Sequence, residues 1–201
     1  MIRLFFLLLV TNTIYASEAD RVLFNKLRER HTGSIAAKSF VADMDKKSAA
    51  YLLKDKIKGT YVVKVNYNNV AGVNLTIQDT ESFYKNILSS YAIYINTMLL
   101  PLLSNTSYTR LQKRFLIKHV KANTFQLTYN KGDIPIKYIF SEGNLGLIDH
   151  IQYFEQEKKN FVLTIKWKKI QDYYVPILMK GVSYENTRQT LSFGIENIQL
   201  K

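Results

Sequence analysis

The sequence predicts an α+β fold in which a curled antiparallel sheet, a half-barrel, is covered on its concave face by helices. Three observations lead to this prediction. Almost all of the chain after residue 114 alternates apolar and polar residues with the period of a β-strand. Successive strands are separated by short turn signals without a helix between them, so hairpins connect them and the sheet is antiparallel. Most strands have one apolar and one polar face, which is typical of a sheet covered on one side only.

Composition bounds the class of protein. The chain has 201 residues, with 28 Lys and Arg against 16 Asp and Glu and no cysteine. This length fits one domain of ordinary size, and the apolar fraction of 47% excludes a disordered chain. Without cysteine, a disulfide framework, a thiolate metal site and a cysteine nucleophile are all excluded. We therefore expect a single domain over residues 17–201.

The first sixteen residues have the layout of a secretory signal peptide. Arg3 precedes an apolar run over residues 4–10, and the small residue Ala16 precedes the polar residues Ser17 and Glu18. The apolar run is shorter than the roughly 20 residues that span a bilayer. The pattern predicts cleavage after Ala16 and a soluble, exported protein of the bacterial periplasm, without a lipid anchor since no cysteine follows. The alternative is a buried N-terminal strand.

Two helices are predicted near residues 18–31 and 80–103. Ser17 is a good N-cap for the first helix, and Gly33 is its natural end. In the second, apolar residues recur at steps of three and four, which places them on one stripe. That stripe consists of Phe83, Ile87, Tyr91, Tyr94, Ile95, Met98 and Leu102. The segment 45–56 is charged, and no element is assigned to it.

The strands follow from alternation of period two. An extended piece covers residues 37–44, and a hairpin joins 61–67 to 73–77 through a turn that ends at Gly72. Further strands are clearest over 124–129, 134–140, 161–168 and 191–196. Turns are predicted at 130–133, 142–144, 158–160 and 185–187.

The C-terminal strands carry a resemblance. They read LTIKW at 163–167, YVPIL at 174–178, TLSF at 190–193 and IENIQL at 195–200. With the export signal, the first helix and the inserted apolar helix, this order resembles the periplasmic outer-membrane lipoprotein carriers, the LolA-like group. The resemblance implies a half-barrel closed by helices whose hollow takes lipid or lipoprotein acyl chains. It also implies membrane-bound donor and acceptor proteins as partners.

The inward-facing apolar residues are the candidate lipid contacts. The curled sheet and the inserted helix supply them, because a concave apolar face that is not filled is a dry slot for a chain. The predicted lipid-binding residues are Tyr61, Val63, Val65, Tyr91, Tyr94, Met98, Leu102, Phe125, Leu127, Tyr138, Leu163, Ile165 and Trp167. The same residues are also expected of an ordinary filled core. The sequence leaves both readings open.

The net charge of +12 favours an anionic partner. For an exported protein, transient contact with an anionic membrane is more plausible than contact with nucleic acid, which is not expected as a partner. An acidic surface on another protein is equally admissible. The alternative function is accordingly an exported interaction protein with a filled core, whose basic face binds a protein or a polyanion.

Enzyme chemistry is not predicted. The sequence has no nucleophile elbow, no phosphate-binding glycine loop and no HExxH zinc motif. Asp149 and His150 are neighbours on a predicted strand, so their side chains point to opposite faces. His31 is interpreted as an ordinary cation at a helix end. We therefore predict no catalytic residue, no cofactor and no metal site.

Overall fold

In the computed structural model, the described residues are 17–53, 62–77, 82–103, 115–131, 134–184 and 189–201. They form one ten-stranded sheet, three α-helices and two short helical turns. The predicted α+β class, with an antiparallel sheet and covering helices, is confirmed. The segment 1–16 and Tyr61 lie outside the described residues, as do the turn at 185–187 and part of that at 130–133.

The sheet is a long meander whose first and last strands meet. Its strands are β1 (Ser39–Met44), β2 (Val63–Asn68), β3 (Gly72–Ile77), β4 (Leu116–Lys121), β5 (Thr124–Lys131), β6 (Ile134–Glu142), β7 (Ile148–Glu155), β8 (Lys158–Ile170), β9 (Tyr173–Ser183) and β10 (Gln189–Leu200). The spatial order is β3-β2-β1-β10-β9-β8-β7-β6-β5-β4, so β3 and β4 are the two edges. Because β1 pairs with β10, the N-terminal hairpin continues the C-terminal meander in one sheet.

Helix α1 (Glu18–Glu29) begins where the sequence predicts. The Ser17 hydroxyl accepts a hydrogen bond from the backbone N–H of Asp20, which is an N-cap. A wider turn, Arg30–Ser34, follows the helix and ends its regular geometry, with Gly33 at a φ of +125°. Glycine adopts this backbone conformation without strain, so Gly33 ends the helix as predicted.

Helix α2 (Lys46–Leu53) is an element that the sequence analysis did not assign. Asp45 caps it, since its carboxylate accepts the backbone N–H of Ser48 at 2.8 Å. The Ser48 hydroxyl in turn accepts the backbone N–H of Gly194 in β10, at 2.8 Å. The expectation of two covering helices is therefore corrected to three, with α2 docked on β10.

Helix α3 (Ser82–Leu99) is shorter than the predicted 80–103. A short 3₁₀ turn, Leu100–Leu102, continues the chain, and Pro101 lies within it. Proline lacks the N–H that an α-helix needs at this point, which explains the change of geometry.

The sheet curls around α3. This helix packs on the edge strand β3, yet the Tyr138 hydroxyl of β6 donates to the Thr97 carbonyl of α3 at 3.3 Å. Tyr94 of α3 also stacks on Phe161 of β8, with ring centroids 6.4 Å apart. One helix thus contacts the first, sixth and eighth strands of the spatial order. Register shifts within five of the strand pairs supply the bulges that such curvature needs.

The predicted turn at 158–160 is wrong. These residues belong to β8, and the hairpin turn lies at Gln156 and Glu157, where φ is +48° and +61°. Neither residue is a glycine or an asparagine, the usual residues at positive φ, so the sequence contains no signal for this turn. None of the helices within the described ranges is long and apolar enough to cross a membrane.

Candidate functional site

Two pockets lie on the two sides of α3, between the helix and the curled sheet. The inner pocket is lined by residues of β1, β2, β3, β8 and β9, and by Leu99 of α3 and Leu102 of the 3₁₀ turn. The outer pocket lies toward β7, β8 and β9 and is lined by Tyr94 and Met98. Met98 and Leu99 are consecutive residues, so the C-terminal half of α3 is the partition between the two pockets.

The inner pocket is small and mostly apolar. Its cavity volume is about 30 Å³, which is room for about two water molecules. Its wall contains the imidazole of His31, the phenol of Tyr67 and the indole of Trp167. Burial raises the pKa of the Tyr67 phenol to about 12, so the phenol stays neutral.

His31 is a buried, neutral residue, which corrects its interpretation as a helix-end cation. It is 5% exposed, and its Nε2 accepts the backbone N–H of Ile148 at 2.9 Å. Burial is the main reason that the pKa of His31 is lowered from 6.5 to about 3, and the positive charge of the neighbouring Arg30 guanidinium is the second reason. A charged imidazolium has no lone pair with which to accept this hydrogen bond, so the contact requires the neutral ring.

His31 and Trp167 together close a gap in the sheet. The ladder between β7 and β8 ends at the pair His150 and Thr164. Beyond it, the N–H of Ile148 binds His31, and the carbonyl of Ile148 accepts the Trp167 indole N–H at 2.8 Å. The two side chains, whose rings meet edge to face at 5.5 Å, thus replace the missing backbone ladder.

Asn96 fastens α3 to the edge of the sheet. Its amide accepts the backbone N–H of Val73 at 2.7 Å and donates to the carbonyl of the same residue at 2.9 Å. The side chain therefore completes the edge of β3 as another strand would. Gly72 permits this approach, since a Cβ at that position would meet the Asn96 amide, and its φ is +84°.

The chain after α3 is held by α1. The Arg28 guanidinium donates to the carbonyl of Pro101 at 2.9 Å and to that of Leu103 at 2.6 Å. Because these carbonyls follow the helix, the bonds fix the end of α3 rather than its middle. The anchors formed by Asn96 and Arg28 thus lie toward the inner pocket and the C-terminal end of α3.

The outer pocket is larger and more open. Its cavity volume is about 180 Å³, and its rim includes Ile93 and Tyr94, which are 66% and 51% exposed. Met98 and Phe161 form its apolar floor and wall. Exposed aliphatic and aromatic side chains beside an unfilled apolar slot are typical of a binding groove.

One end of the outer pocket is polar. Glu155 accepts the Tyr153 hydroxyl at 2.9 Å and the Asn160 side-chain amide at 3.1 Å, one on each carboxylate oxygen. Ser183 and Thr97 also line this pocket. The outer pocket therefore combines an apolar slot with a carboxylate that two neighbours hold in place.

The predicted lipid-binding residues divide into three groups. Val65, Leu102, Ile165 and Trp167 line the inner pocket, and Tyr94 and Met98 line the outer one. The residues that line neither pocket and belong to the core, or pack against it, are Val63, Tyr91, Phe125, Leu127, Tyr138 and Leu163. The structure thus brings six of the predicted residues to the two pockets.

Helix α1 explains why part of the concave face is filled. Phe24 of α1 packs against Phe125 and Phe140, with ring centroids 5.6 and 5.9 Å away. The predicted positions on β5 therefore lie under α1, where aromatic rings occupy the hollow. Alternation identifies the inward face of a strand, but only the covering helix decides whether space remains there.

The buried face of α3 matches the predicted stripe only in part. Ile95, Met98 and Leu102 are buried as the stripe predicts, whereas Tyr94 is half exposed. Leu88, Ala92 and Leu99, which lie outside the predicted stripe, are also buried. His31, Asn96 and Glu155 are the pocket and anchor residues that the sequence analysis missed. Their partners are 23 residues or more distant for Asn96 and His31, so no local pattern marks them.

Within the described ranges, no group of three or more His, Cys, Asp or Glu side chains is placed to hold a metal ion. What the arrangement can do chemically is to bury an apolar chain beside α3 and hydrogen-bond a polar end at Glu155.

Comparison with known proteins finds one similar structure. No protein-family model matches this chain, and no curated protein matches it. A crystal structure of a LolA superfamily protein from Nitrosomonas europaea is similar, with a TM-score of 0.45 and 7% identity. The match covers 90% of this chain and 93% of that chain. The curled sheet and its helices are seen directly in this chain, whereas membership of the lipoprotein-carrier family stays a prediction.

Proposed function

We propose that this protein binds an apolar chain, such as a lipid acyl chain, between α3 and the curled sheet. The observation that carries the proposal is the unfilled outer pocket of about 180 Å³ under exposed Ile93 and Tyr94. Each CH₂ group that leaves water for such a slot contributes about 0.8 kcal/mol. The thioether of Met98 adapts to irregular and sliding contacts, which suits a ligand without a fixed shape.

The mechanism is a passive shift between closed and open positions of α3. A chain that enters the outer pocket replaces contacts between α3 and β8, of which the Tyr94–Phe161 stack is one. Because Met98 and Leu99 separate the two pockets, an outward tilt of α3 joins them into one longer slot. The ligand favours the open position only by its differential affinity for the two.

The finer proposal is a carrier of lipid or lipoprotein acyl chains in the bacterial periplasm. It rests on the export pattern of residues 1–16 and on the resemblance of the C-terminal strands to lipoprotein carriers. Membrane-bound donor and acceptor proteins are the partners of this proposal, and anionic lipid contributes transient contact. Mass measurement of the protein secreted by a bacterial host tests the export, with a chain beginning at Ser17 as the expected product.

The proposed function includes no catalysis and no cofactor. Binding and release of a chain need no covalent step. An apolar pocket beside α3 is sufficient for such binding and release.

A series of uncharged ligands tests the slot. We expect linear alcohols from octanol to hexadecanol to displace Nile red, with affinity rising about fourfold for each added CH₂ until the slot is full. Met98→Glu places a charge inside the outer pocket and should abolish binding. Ser90→Glu, on the exposed face of the same helix, should leave binding unchanged. Circular dichroism must show retained structure in both variants.

Thr97→Phe keeps the test informative if Met98→Glu does not fold. Thr97 lines the outer pocket, so a phenyl ring there occupies the slot without introducing a charge. An affinity for alcohols that does not depend on chain length, or that Thr97→Phe leaves intact, would contradict the proposal.

A basic outer face supports the second candidate function. Lys166, Lys168 and Lys180 are exposed on β8 and β9, and none of them forms an ion pair with another residue in the described ranges. Such a face fits an acidic protein surface or a polyanion. Binding through exposed charges weakens strongly at physiological salt, where screening acts within about 8 Å. Binding that survives salt and follows chain length supports the apolar slot instead.

A further inference from the structure

We propose that the outer pocket selects an amphiphile whose polar end is cationic and donates hydrogen bonds, and that it disfavours a carboxylate end. This inference rests on the proposed function, because it concerns which chain-bearing ligand the same slot accepts. It follows from the position of Glu155 and from the polar groups that surround it.

Glu155 is positioned to receive donors. Its two oxygens accept from the Tyr153 hydroxyl and the Asn160 amide, at 2.9 and 3.1 Å. A carboxylate oxygen has two lone-pair directions, so each of these oxygens can accept one more hydrogen bond. The two existing bonds fix the side chain in one orientation, which reduces the entropy that a ligand must remove.

Glu155 is not neutralised by a cation within the described ranges. The ion pairs found there are Arg30–Glu142, Lys64–Asp43 and Lys137–Glu157, and none includes Glu155. Lys158 is opposite Glu155 in the β7–β8 ladder, but it is exposed and forms no ion pair with it. Among the described residues, the Glu155 carboxylate in the pocket is therefore not ion-paired, and it attracts a cationic end and repels an anionic one.

The charge of Glu155 acts within the hollow. The pKa of the Tyr138 phenol is raised, first by burial and then by the negative charge of Glu155. Tyr138 lies on β6 and binds α3, so the field of this carboxylate extends from the outer pocket to the helix. A charged ligand end in the outer pocket, which Glu155 lines, therefore also interacts with this carboxylate.

The outer pocket has an apolar part and a polar part, which match the chain and the polar end of an amphiphile. Met98, Phe161 and the rim residues Ile93 and Tyr94 form its apolar part, and Glu155, Asn160 and Ser183 its polar part. A chain in the apolar part places its polar end near the carboxylate. A carboxylate there would lose its hydration without gaining an opposite charge, which is costly.

The whole protein has the opposite bias. With a net charge of +12, long-range attraction favours an anionic amphiphile over a cationic one. A measured preference for the cation would therefore have a local origin. Measurement at physiological salt reduces the long-range contribution further.

Three ligands with the same chain test the inference. Dodecan-1-ol, dodecylammonium and dodecanoate are compared below their micelle concentrations at pH 7 by competition with Nile red. We expect dodecylammonium to bind at least about tenfold more tightly than dodecanoate, because a hydrogen bond to a charged group is formed for one and a repulsion for the other. Glu155→Gln should reduce this ratio to about one or below, because the local charge is removed while the net charge of the protein still favours the anion.

Glu157→Gln is the matched control. Glu157 is on the same hairpin but is 71% exposed and pairs with Lys137 outside the pocket, so its loss should leave the ratio unchanged. Equal affinity for the two ions in the wild type, or an unchanged ratio in Glu155→Gln, overturns the inference and leaves the proposed function in place. If dodecan-1-ol itself does not bind, the proposed function fails and this inference fails with it.

Discussion

Helix α3 meets the sheet in two different ways on its two sides. Toward the inner pocket, Asn96 forms two hydrogen bonds with Val73, and the remaining space is about 30 Å³. Toward the outer pocket, the contacts are the stack of Tyr94 on Phe161 and one longer hydrogen bond of 3.3 Å from Tyr138 to the Thr97 carbonyl, and about 180 Å³ is unfilled. Directional bonds fix a position, whereas apolar contacts tolerate sliding. In the proposed binding mechanism, the inner side is therefore the fixed side of α3 and the outer side is the one that would open.

The walls of the two pockets also differ in how firmly their side chains are held. His31 and Trp167 close the inner pocket by satisfying the backbone of Ile148, and both are tied into the sheet. Ile93 and Tyr94 close the outer pocket only from the rim, with half or more of each side chain in solvent. Removal of a group should therefore cost more on the inner side than on the outer side.

The largest expected effect is on the inner side and appears at acid pH. Because the pKa of His31 is about 3 in the folded protein and 6.5 in the unfolded chain, the unfolded chain binds the extra proton first as the pH falls. The stabilisation is complete above pH 6.5 and is lost progressively toward pH 3. The free energy of unfolding should fall by about 1.4 kcal/mol for each pH unit, or about 3 kcal/mol by pH 4.

Urea denaturation at several pH values measures this effect, and His31→Gln isolates it. Glutamine retains an acceptor for the N–H of Ile148 but does not titrate, so its stability should depend less on pH by this amount. Equal pH dependence of the two proteins between pH 4 and 6.5 would refute a buried, neutral His31.

The anchor of α3 comes next. Asn96→Ala leaves both backbone groups of Val73 without the side chain that binds them, and we expect a loss of about 2 kcal/mol in the free energy of unfolding. Ser90→Ala removes a bond of Ser90 to the Asn86 carbonyl within the same helix and should change stability by less than about 0.5 kcal/mol. Similar costs for the two substitutions in denaturant titrations would mean that α3 has no fixed side.

On the outer side, Tyr94→Ala should affect binding more than stability. Tyr94 is 51% exposed, so its loss should cost less than about 1 kcal/mol in unfolding free energy. Its ring covers Phe161 at the rim of the slot, and its removal should weaken alcohol binding severalfold. If thermal denaturation shows a cost as large as that of Asn96→Ala, the two sides of α3 do not differ as described.

The smallest expected effect is a change in the fluorescence of one residue, Trp167. Trp167 is the single tryptophan of the chain and lines the inner pocket, so its fluorescence reports on that pocket alone. Octanol in the outer pocket should leave the emission unchanged, whereas hexadecanol, which extends past Met98, should shift it. An equal shift for both alcohols in a fluorescence titration would indicate that the two pockets are not filled in sequence.

Much of the sheet is predictable because the alternation of apolar and polar residues within each strand shows which positions face the core. The inward positions Phe125, Leu127 and Leu163 follow from alternation, and all three are buried. The short helix α2 was missed although Asp45 is a capping residue, because the lysines that follow it obscure an amphipathic pattern. The turn at Gln156 was missed because its positive φ is imposed by the two strands rather than by the residue type.

The pockets are less predictable, since they depend on where helices dock. The sequence identifies Phe125 and Met98 alike as inward apolar residues. Phe24 of α1 covers the first, whereas the second faces an open slot. Asn96 is a polar residue within an apolar helix and carries no signal in the sequence pattern, yet its bonds to Val73 attach α3 to the edge of the sheet.

The bonds between Asn96 and β3 also bear on how the protein avoids aggregation. An uncovered edge strand presents backbone groups to which a second copy can add a strand. A helix that left the sheet entirely to admit a ligand would uncover Val73 each time it opened. In the proposed mechanism, a helix that stays fastened at Asn96 and tilts at Tyr94 would keep Val73 capped. The chain would then admit a ligand without presenting this part of β3 to a second copy.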